Sequence, residues 1–196
     1  MALLLTNGAL GLHIPKTGGS WVREVLFNLG HVKVETRRVH SPLADFVATH
    51  ELAAYKFTFV RHPLDWYVSY WRWQTDHGWR MELQIPDFPH LCCADETFAG
   101  FVQKCLAHHP ALVSKLYTAY VGPADAPINF IGRYESLRTG LIRLLTSFNL
   151  RWDDVVADET MPQQVSQTTK PDWPDALRQQ VIVAEQEALT RFGYAV

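Results

Sequence analysis

Apolar and polar positions along this chain switch between two periods. The run Ala9-Leu10-Gly11-Leu12 is apolar and predicts a strand over 9–14. After Gly18-Gly19 the pattern turns helix-like, with Val22, Val25, Leu26 and Leu29 set among polar residues, and a helix is expected over 19–29. Val32-Lys33-Val34-Glu35 alternates, which predicts a strand over 32–36. A helix is expected over 43–53. Residues 55–60 are apolar and aromatic, as in a buried strand. Pro63 suits the first turn of a helix, where its missing N–H costs nothing. That helix is expected to run through Tyr67, Tyr70 and Trp71 to about 74. Residues 78–94 read as irregular, with Gly78, Pro86 and Pro89. Helices follow at 95–107 and 111–120, then a strand over 128–131 and a helix over 135–148. A polar loop is expected over 157–172. The last helix starts near Trp173-Pro174 and runs to about 192. Residues 1–5 are expected to form an edge strand or a loose terminus.

Strands that alternate with helices imply an α/β fold, a central parallel sheet flanked by helices. The chain has 196 residues, which suits a single domain spanning 1–196. There are no internal repeats. Hydrophobic residues make up 47% and charged residues 19%, the balance of a soluble globular protein. The net charge of −2 argues against a nucleic-acid partner. The charge is uneven: residues 1–80 carry +3 and residues 81–196 carry −5. A positive field therefore sits where the anion motifs described next occur. No segment is apolar enough to cross a bilayer, and the start lacks a basic lead. No membrane anchor is expected, and a cytoplasmic location follows as the expectation. Three cysteines, an odd number, give no disulfide framework.

The segment His13-Ile14-Pro15-Lys16-Thr17-Gly18-Gly19-Ser20-Trp21 carries the most chemistry. Strand, tight glycine turn and helix follow one another. Such a turn aims backbone N–H groups and the positive end of a helix at one point. Lys16 adds a cation, and Thr17 and Ser20 add hydroxyl donors. Gly18 and Gly19 let the backbone approach an anion. Trp21 either stacks on a base or packs in the core. No G-x-x-x-x-G-K-[ST] occurs, so this is not the usual nucleotide loop. In a second block, Phe57-Thr58-Phe59-Val60-Arg61-His62-Pro63, the guanidinium of Arg61 offers a planar fork to phosphate oxygens. Its other reading is an ion pair with Asp65, worth only about 0.3–0.5 kcal/mol. Ser69 follows eight residues after Arg61. Both motifs begin where a predicted strand ends, the edge at which open α/β sheets bind ligands.

The order of these blocks resembles the sulfotransferases that use 3′-phosphoadenosine-5′-phosphosulfate (PAPS). Pro15-Lys16-Thr17-Gly18-Gly19-Ser20 is similar to that family's 5′-phosphosulfate loop. Arg61 and Ser69 match its 3′-phosphate motif. Ile131-Gly132-Arg133-Tyr134-Glu135-Ser136-Leu137 resembles a further family block, and Phe192-Gly193-Tyr194 a common ending. The variety it is similar to acts on carbohydrates and other hydroxyl acceptors. The resemblance implies a P-loop-like sulfotransferase fold, PAPS as co-substrate, and a small-molecule or glycan alcohol as acceptor. It implies catalytic roles for Lys16 and His40, with His40 as the general base; Glu35 and His50 are the reserves. It implies cofactor binding by Lys16, Thr17, Gly18, Gly19, Ser20, Trp21, Arg61 and Ser69, and by Lys170 through a closing loop. Arg133 either pairs with Glu135 or touches the nucleotide. The family often has Arg or Lys where this chain has Trp66.

No metal is expected. His90, Cys92, Cys93, Cys105, His108 and His109 fall close together, but their spacing matches no standard zinc pattern. Trp66, Trp71, Trp73 and Trp79 form either a core or an acceptor surface. His62 reads as structural. Two other functions stay open: a nucleotide kinase-like phosphotransferase, and a nucleotide-binding or interaction protein without turnover.

Overall fold

The computed structural model describes residues 2–35, 55–79, 90–123, 128–152 and 166–195. The fold is α/β, with one five-stranded mixed sheet and seven helices among these residues. The chain divides into two compact units, 1–61 with 119–164, and 62–118 with 165–196.

The first unit holds the sheet. Its strands are β1 (Ala2–Leu5), β2 (Leu10–Leu12), β3 (Val32–Glu35), β4 (Lys56–Val60) and β5 (Phe130–Arg133), in the order β3-β1-β2-β4-β5. Residues 2–5 are thus an inner strand, not the expected edge. The reason is a hairpin at Thr6-Asn7-Gly8. Asn7 Oδ1 accepts from Ala9 N at 3.1 Å, and Gly8 takes φ +84°, a combination that turns one strand back on the next. β1 therefore runs antiparallel to both β2 and β3, and the sheet is mixed where a parallel one was expected. The pairs β2–β4 and β4–β5 are parallel. β3 forms the edge with exposed Lys33 and Val34. A charged edge strand discourages pairing with another chain.

Side chains alternate across the sheet. Leu3, Leu5, Phe57 and Phe59 face α1 (Gly19–Asn28) and α5 (Leu137–Ser147). Trp21, Val22, Val25 and Leu26 form the buried stripe of α1, and Leu137, Leu141, Leu144 and Leu145 that of α5. Gly132 and Gly140 both lie against the Phe59 ring, which lets α5 approach the sheet closely. On the opposite face Ala2, Leu10 and Leu12 pack together. Thr58, fully buried, donates its hydroxyl to Leu12 O at 2.8 Å and so joins β4 to β2.

The second unit is helical. It contains α2 (Pro63–Asp76), a 3₁₀ turn (His90–Cys93), α3 (Phe98–His108), α4 (Leu112–Val121) as far as Thr118, α6 (Asp175–Ala184) and α7 (Gln186–Arg191). Pro63 opens α2, and His62 Nδ1 accepts from Leu64 N at 3.2 Å as its cap. The structural reading of His62 is borne out. Aromatic packing fills the unit: Trp66 and Tyr70 stack at 5.0 Å with planes 5° apart, and Tyr70 stacks on Phe101 at 6.0 Å. Trp66 and Tyr70 are fully buried, so this part of the tryptophan cluster is core.

The final helix, expected as one run, breaks at Glu185. The Glu185 side chain turns inward and is fully buried. It accepts from Val113 N (3.0 Å), Ser114 N (2.8 Å), Ser114 Oγ (2.7 Å) and Tyr67 Oη (2.9 Å). A carboxylate at the N-terminus of α4 satisfies two of its unpaired N–H groups and meets the positive end of its dipole. The helix expected over 43–53 lies outside the described residues.

Candidate functional site

The candidate site is built where β2 ends. Leu12 leaves the sheet, and residues 13–18 turn into α1. Lys16 is held at φ +64° and Gly18 at φ +86°, both in the left-handed region. For Lys16 that backbone costs about 1–2 kcal/mol, so the surrounding packing must hold it. Thr17 supplies part of that hold: it is almost fully buried, and its hydroxyl donates to Ile14 O at 2.9 Å. Thr17 thus braces the turn, and its hydroxyl proton is already committed. A Cβ on Gly18 would stand 2.5 Å from Leu137 Cδ2 and 3.0 Å from the Tyr134 ring. A Cβ on Gly19 would stand 2.0 Å from the His13 ring. Neither position admits a side chain without movement. The first N–H groups of α1, those of Gly19 and Ser20, have no partner inside the helix. Lys16 is half-buried and Ser20 exposed. Trp21 belongs to the core, packed with Val25, Leu26 and the α5 leucines.

Arg61 arrives from the end of β4, the neighbouring parallel strand. Its Nη1 donates to Lys16 O at 3.4 Å, and its guanidinium lies over the Tyr134 ring at 4.0 Å. Tyr134 follows β5, the next parallel strand, and also packs against Gly18. The three sequence blocks, at 15–20, 61 and 131–137, therefore meet at one edge of the sheet. Arg133 stands exposed at the end of β5, at the same edge. Beside the turn, His13, Thr17 and Gly19 line a small hollow whose floor is Leu3, Phe57 and Phe59.

Tyr134 and His13 were not singled out in the sequence. The signal for Tyr134 was its place between Arg133 and Glu135 in a block already recognised. An aromatic ring one residue from a strand end is well placed to carry a guanidinium.

Ser69 is half-buried in α2, and Lys170 is exposed in the segment before α6; both belong to the second unit. That segment is tied to α2 by Arg72, which donates to Thr168 O (2.7 Å) and Ser166 O (3.0 Å). Asp76, one turn on, accepts from the Ser166 hydroxyl, Gln167 N (3.1 Å), Thr168 N (2.9 Å) and Thr168 Oγ1 (2.5 Å). Partial desolvation pushes the Asp76 carboxyl up, but these hydrogen bonds outweigh it and hold its pKa down at about 2.

His40 and His50 lie outside the described residues. Glu35, the other reserve base, is engaged: Arg23 donates Nε (2.7 Å) and Nη2 (2.8 Å) to its two oxygens. That hydrogen-bonded pair lowers the Glu35 pKa against the opposing effect of burial. A carboxylate so held is a weaker base than a free one.

No protein-family model matches the chain, and no curated protein or solved structure is detectably similar to it. Among the described residues no helix is long and apolar enough to cross a membrane.

Proposed function

We propose that this chain is a PAPS-dependent sulfotransferase. It transfers a sulfuryl group from PAPS to the hydroxyl of a carbohydrate or another alcohol and releases adenosine 3′,5′-bisphosphate. The observation that carries the reading is the meeting of Lys16, Gly18, Arg61 and Tyr134 at the carboxyl ends of three parallel strands. Open α/β sheets bind ligands outside the carboxyl ends of their strands, and the glycine turn entering α1 lies at that edge.

The residues suit a phosphosulfate. Gly18 and Gly19 let the turn pack closely on Leu137, Tyr134 and His13 as it enters α1, and the N-terminal N–H groups and dipole of a helix favour an anion. Lys16 brings a positive charge to the same turn, and Arg61, whose guanidinium lies over the Tyr134 ring, brings a second that the resemblance assigns to the 3′-phosphate.

In the reaction the acceptor oxygen attacks sulfur in line with the bridging oxygen. The new S–O bond forms as the bond to the bridging oxygen breaks. Negative charge grows on the departing phosphate. The Lys16 ammonium and the α1 N–H groups favour that charge more in the transition state than in the bound substrate. The acceptor hydroxyl gives its proton to a base, for which His40 is the candidate, since its ordinary pKa lies near neutrality. Ser69 and Lys170 enter on the sequence resemblance alone.

The test is release of adenosine 3′,5′-bisphosphate from PAPS, followed against a panel of sugars and simple alcohols. Acceptor-dependent release that falls in Lys16→Ala supports the reading. Binding of the bisphosphate with no acceptor-dependent release would favour the non-catalytic alternative. Neither binding nor release refutes both.

A further inference from the structure

The second unit carries a cluster that the sulfotransferase reading does not use. Cys92 and Cys93 sit in the 3₁₀ turn His90–Cys93, and His109 caps the end of α3. All three cysteines of the chain are free thiols. Cys92 Sγ lies 3.6 Å from Cys93 Sγ and 3.4 Å from His109 Nε2. The two sulfurs and a ring nitrogen of His109 all fall within 4.8 Å of one another. Zinc binds thiolate at about 2.3 Å and imidazole at about 2.0–2.1 Å; tetrahedral angles then put the donor atoms about 3.5–3.8 Å apart. The two distances from Cys92 Sγ are close to those values, and the third pair lies within 4.8 Å.

Placement adds to the fit. Cys92 is exposed, Cys93 buried and His109 half-buried, so the cluster spans the surface and has an entry path. The turn and the helix are already pinned together. Lys104 Nζ donates to Ala94 O at 2.6 Å and pairs with Asp95 Oδ2 at 3.0 Å, while Asp95 also accepts from Thr97 N at 2.8 Å. These contacts tie the residues just after the turn to α3.

We propose that Cys92, Cys93 and His109 form a zinc site that ties the 3₁₀ turn to the end of α3. Two thiolates and one imidazole fill three tetrahedral positions, and the fourth is left to water or an external ligand. Soft sulfur donors with imidazole select zinc over magnesium or calcium, which prefer oxygen. The site is separate from the loop at 13–20 and does not depend on the sulfotransferase reading.

The test is a Co²⁺ titration of the full chain, stripped of metal and kept reduced with a phosphine. Tetrahedral Co²⁺ bound by thiolate gives ligand-field bands of high intensity and a sulfur-to-cobalt charge-transfer band. Saturation at one equivalent, with the bands bleached by Zn²⁺, is the expected result. His109→Ala and Cys92→Ser should each weaken binding at least about tenfold, as loss of a metal's supporting residues does. His108→Ala, an exposed neighbour on the same helix, should leave it unchanged. No charge-transfer band from a chain with its folded circular dichroism intact overturns the proposal. So does equal binding by wild type and His109→Ala.

Discussion

Gly8 and Gly18 provide a matched pair for testing the loop. They have nearly the same backbone, φ +84° and +86°. A Cβ on Gly8 meets nothing within 4 Å, whereas one on Gly18 meets Leu137 at 2.5 Å and Tyr134 at 3.0 Å. Leu137 is 2% exposed and packed in the α5 core, so it cannot swing aside. Tyr134 is held under Arg61. Both substitutions to alanine incur the left-handed cost, about 1–2 kcal/mol. Gly18→Ala adds an overpacking cost, typically about 1–3 kcal/mol. The sum is about 2–5 kcal/mol for Gly18→Ala against about 1–2 kcal/mol for Gly8→Ala. Urea unfolding followed by both circular dichroism and tryptophan fluorescence measures the two. Gly18→Ala should also weaken binding of adenosine 3′,5′-bisphosphate, because relief of the contact moves the turn, while Gly8→Ala should not. Equal losses of stability in the two variants would refute the tight packing of the turn on Tyr134 and Leu137.

Glu185→Gln should destabilise the second unit by about 2–4 kcal/mol, because the amide presents a donor where the carboxylate accepted, and each buried donor left unmet costs about 1–3 kcal/mol; a loss under about 1 kcal/mol in urea unfolding contradicts the role drawn for the carboxylate. The Asp76 pKa is depressed in the folded state, so its contribution is complete above the ordinary carboxylate range and is lost as pH falls from about 4 toward about 2. The urea midpoint should therefore drop more steeply over that interval in wild type than in Asp76→Asn, and equal acid slopes would show that the tether of 166–168 adds nothing. Arg61→Ala should mainly weaken nucleotide binding, since the 3′-phosphate is remote from the reacting sulfur, whereas Lys16→Ala should lower kcat as well; a Lys16→Ala effect on affinity alone contradicts the transition-state role.

The glycine turn and Arg61 were legible in the sequence because their chemistry is local. Positive φ, close approach and strand ends all leave marks in a few adjacent residues. The convergence of Arg61 on Lys16 O followed from two neighbouring parallel strands, whose carboxyl ends share an edge. Other features were not local. Asn7-Gly8 carries a hairpin signal that strand-and-helix periodicity does not register, and without it residues 2–5 fall at the edge of a parallel sheet. Nothing in the 3.6-residue period of the last helix announces a break at Glu185; only the N-terminus of α4, some seventy residues earlier, explains it. Trp66 and Tyr70 at helical spacing fit a core as well as an acceptor surface, and burial decided for the core. Trp66 accordingly stands where it packs, not where a basic residue would meet a ligand. The Cys92, Cys93 and His109 cluster escaped a spacing rule because its donors come from a short turn and a helix end, not from paired knuckles.

The central claim is that the loop at 15–20 and Arg61 together bind the nucleotide of PAPS. Isothermal titration calorimetry of adenosine 3′,5′-bisphosphate into wild type, Lys16→Ala and Arg61→Ala tests it most directly, with ATP as the comparison ligand. One site in the wild type, a Kd raised at least about tenfold in each variant (about 1.4 kcal/mol), and weaker binding of ATP are the predicted results. Absence of binding, or the same Kd in all three proteins, would contradict the account.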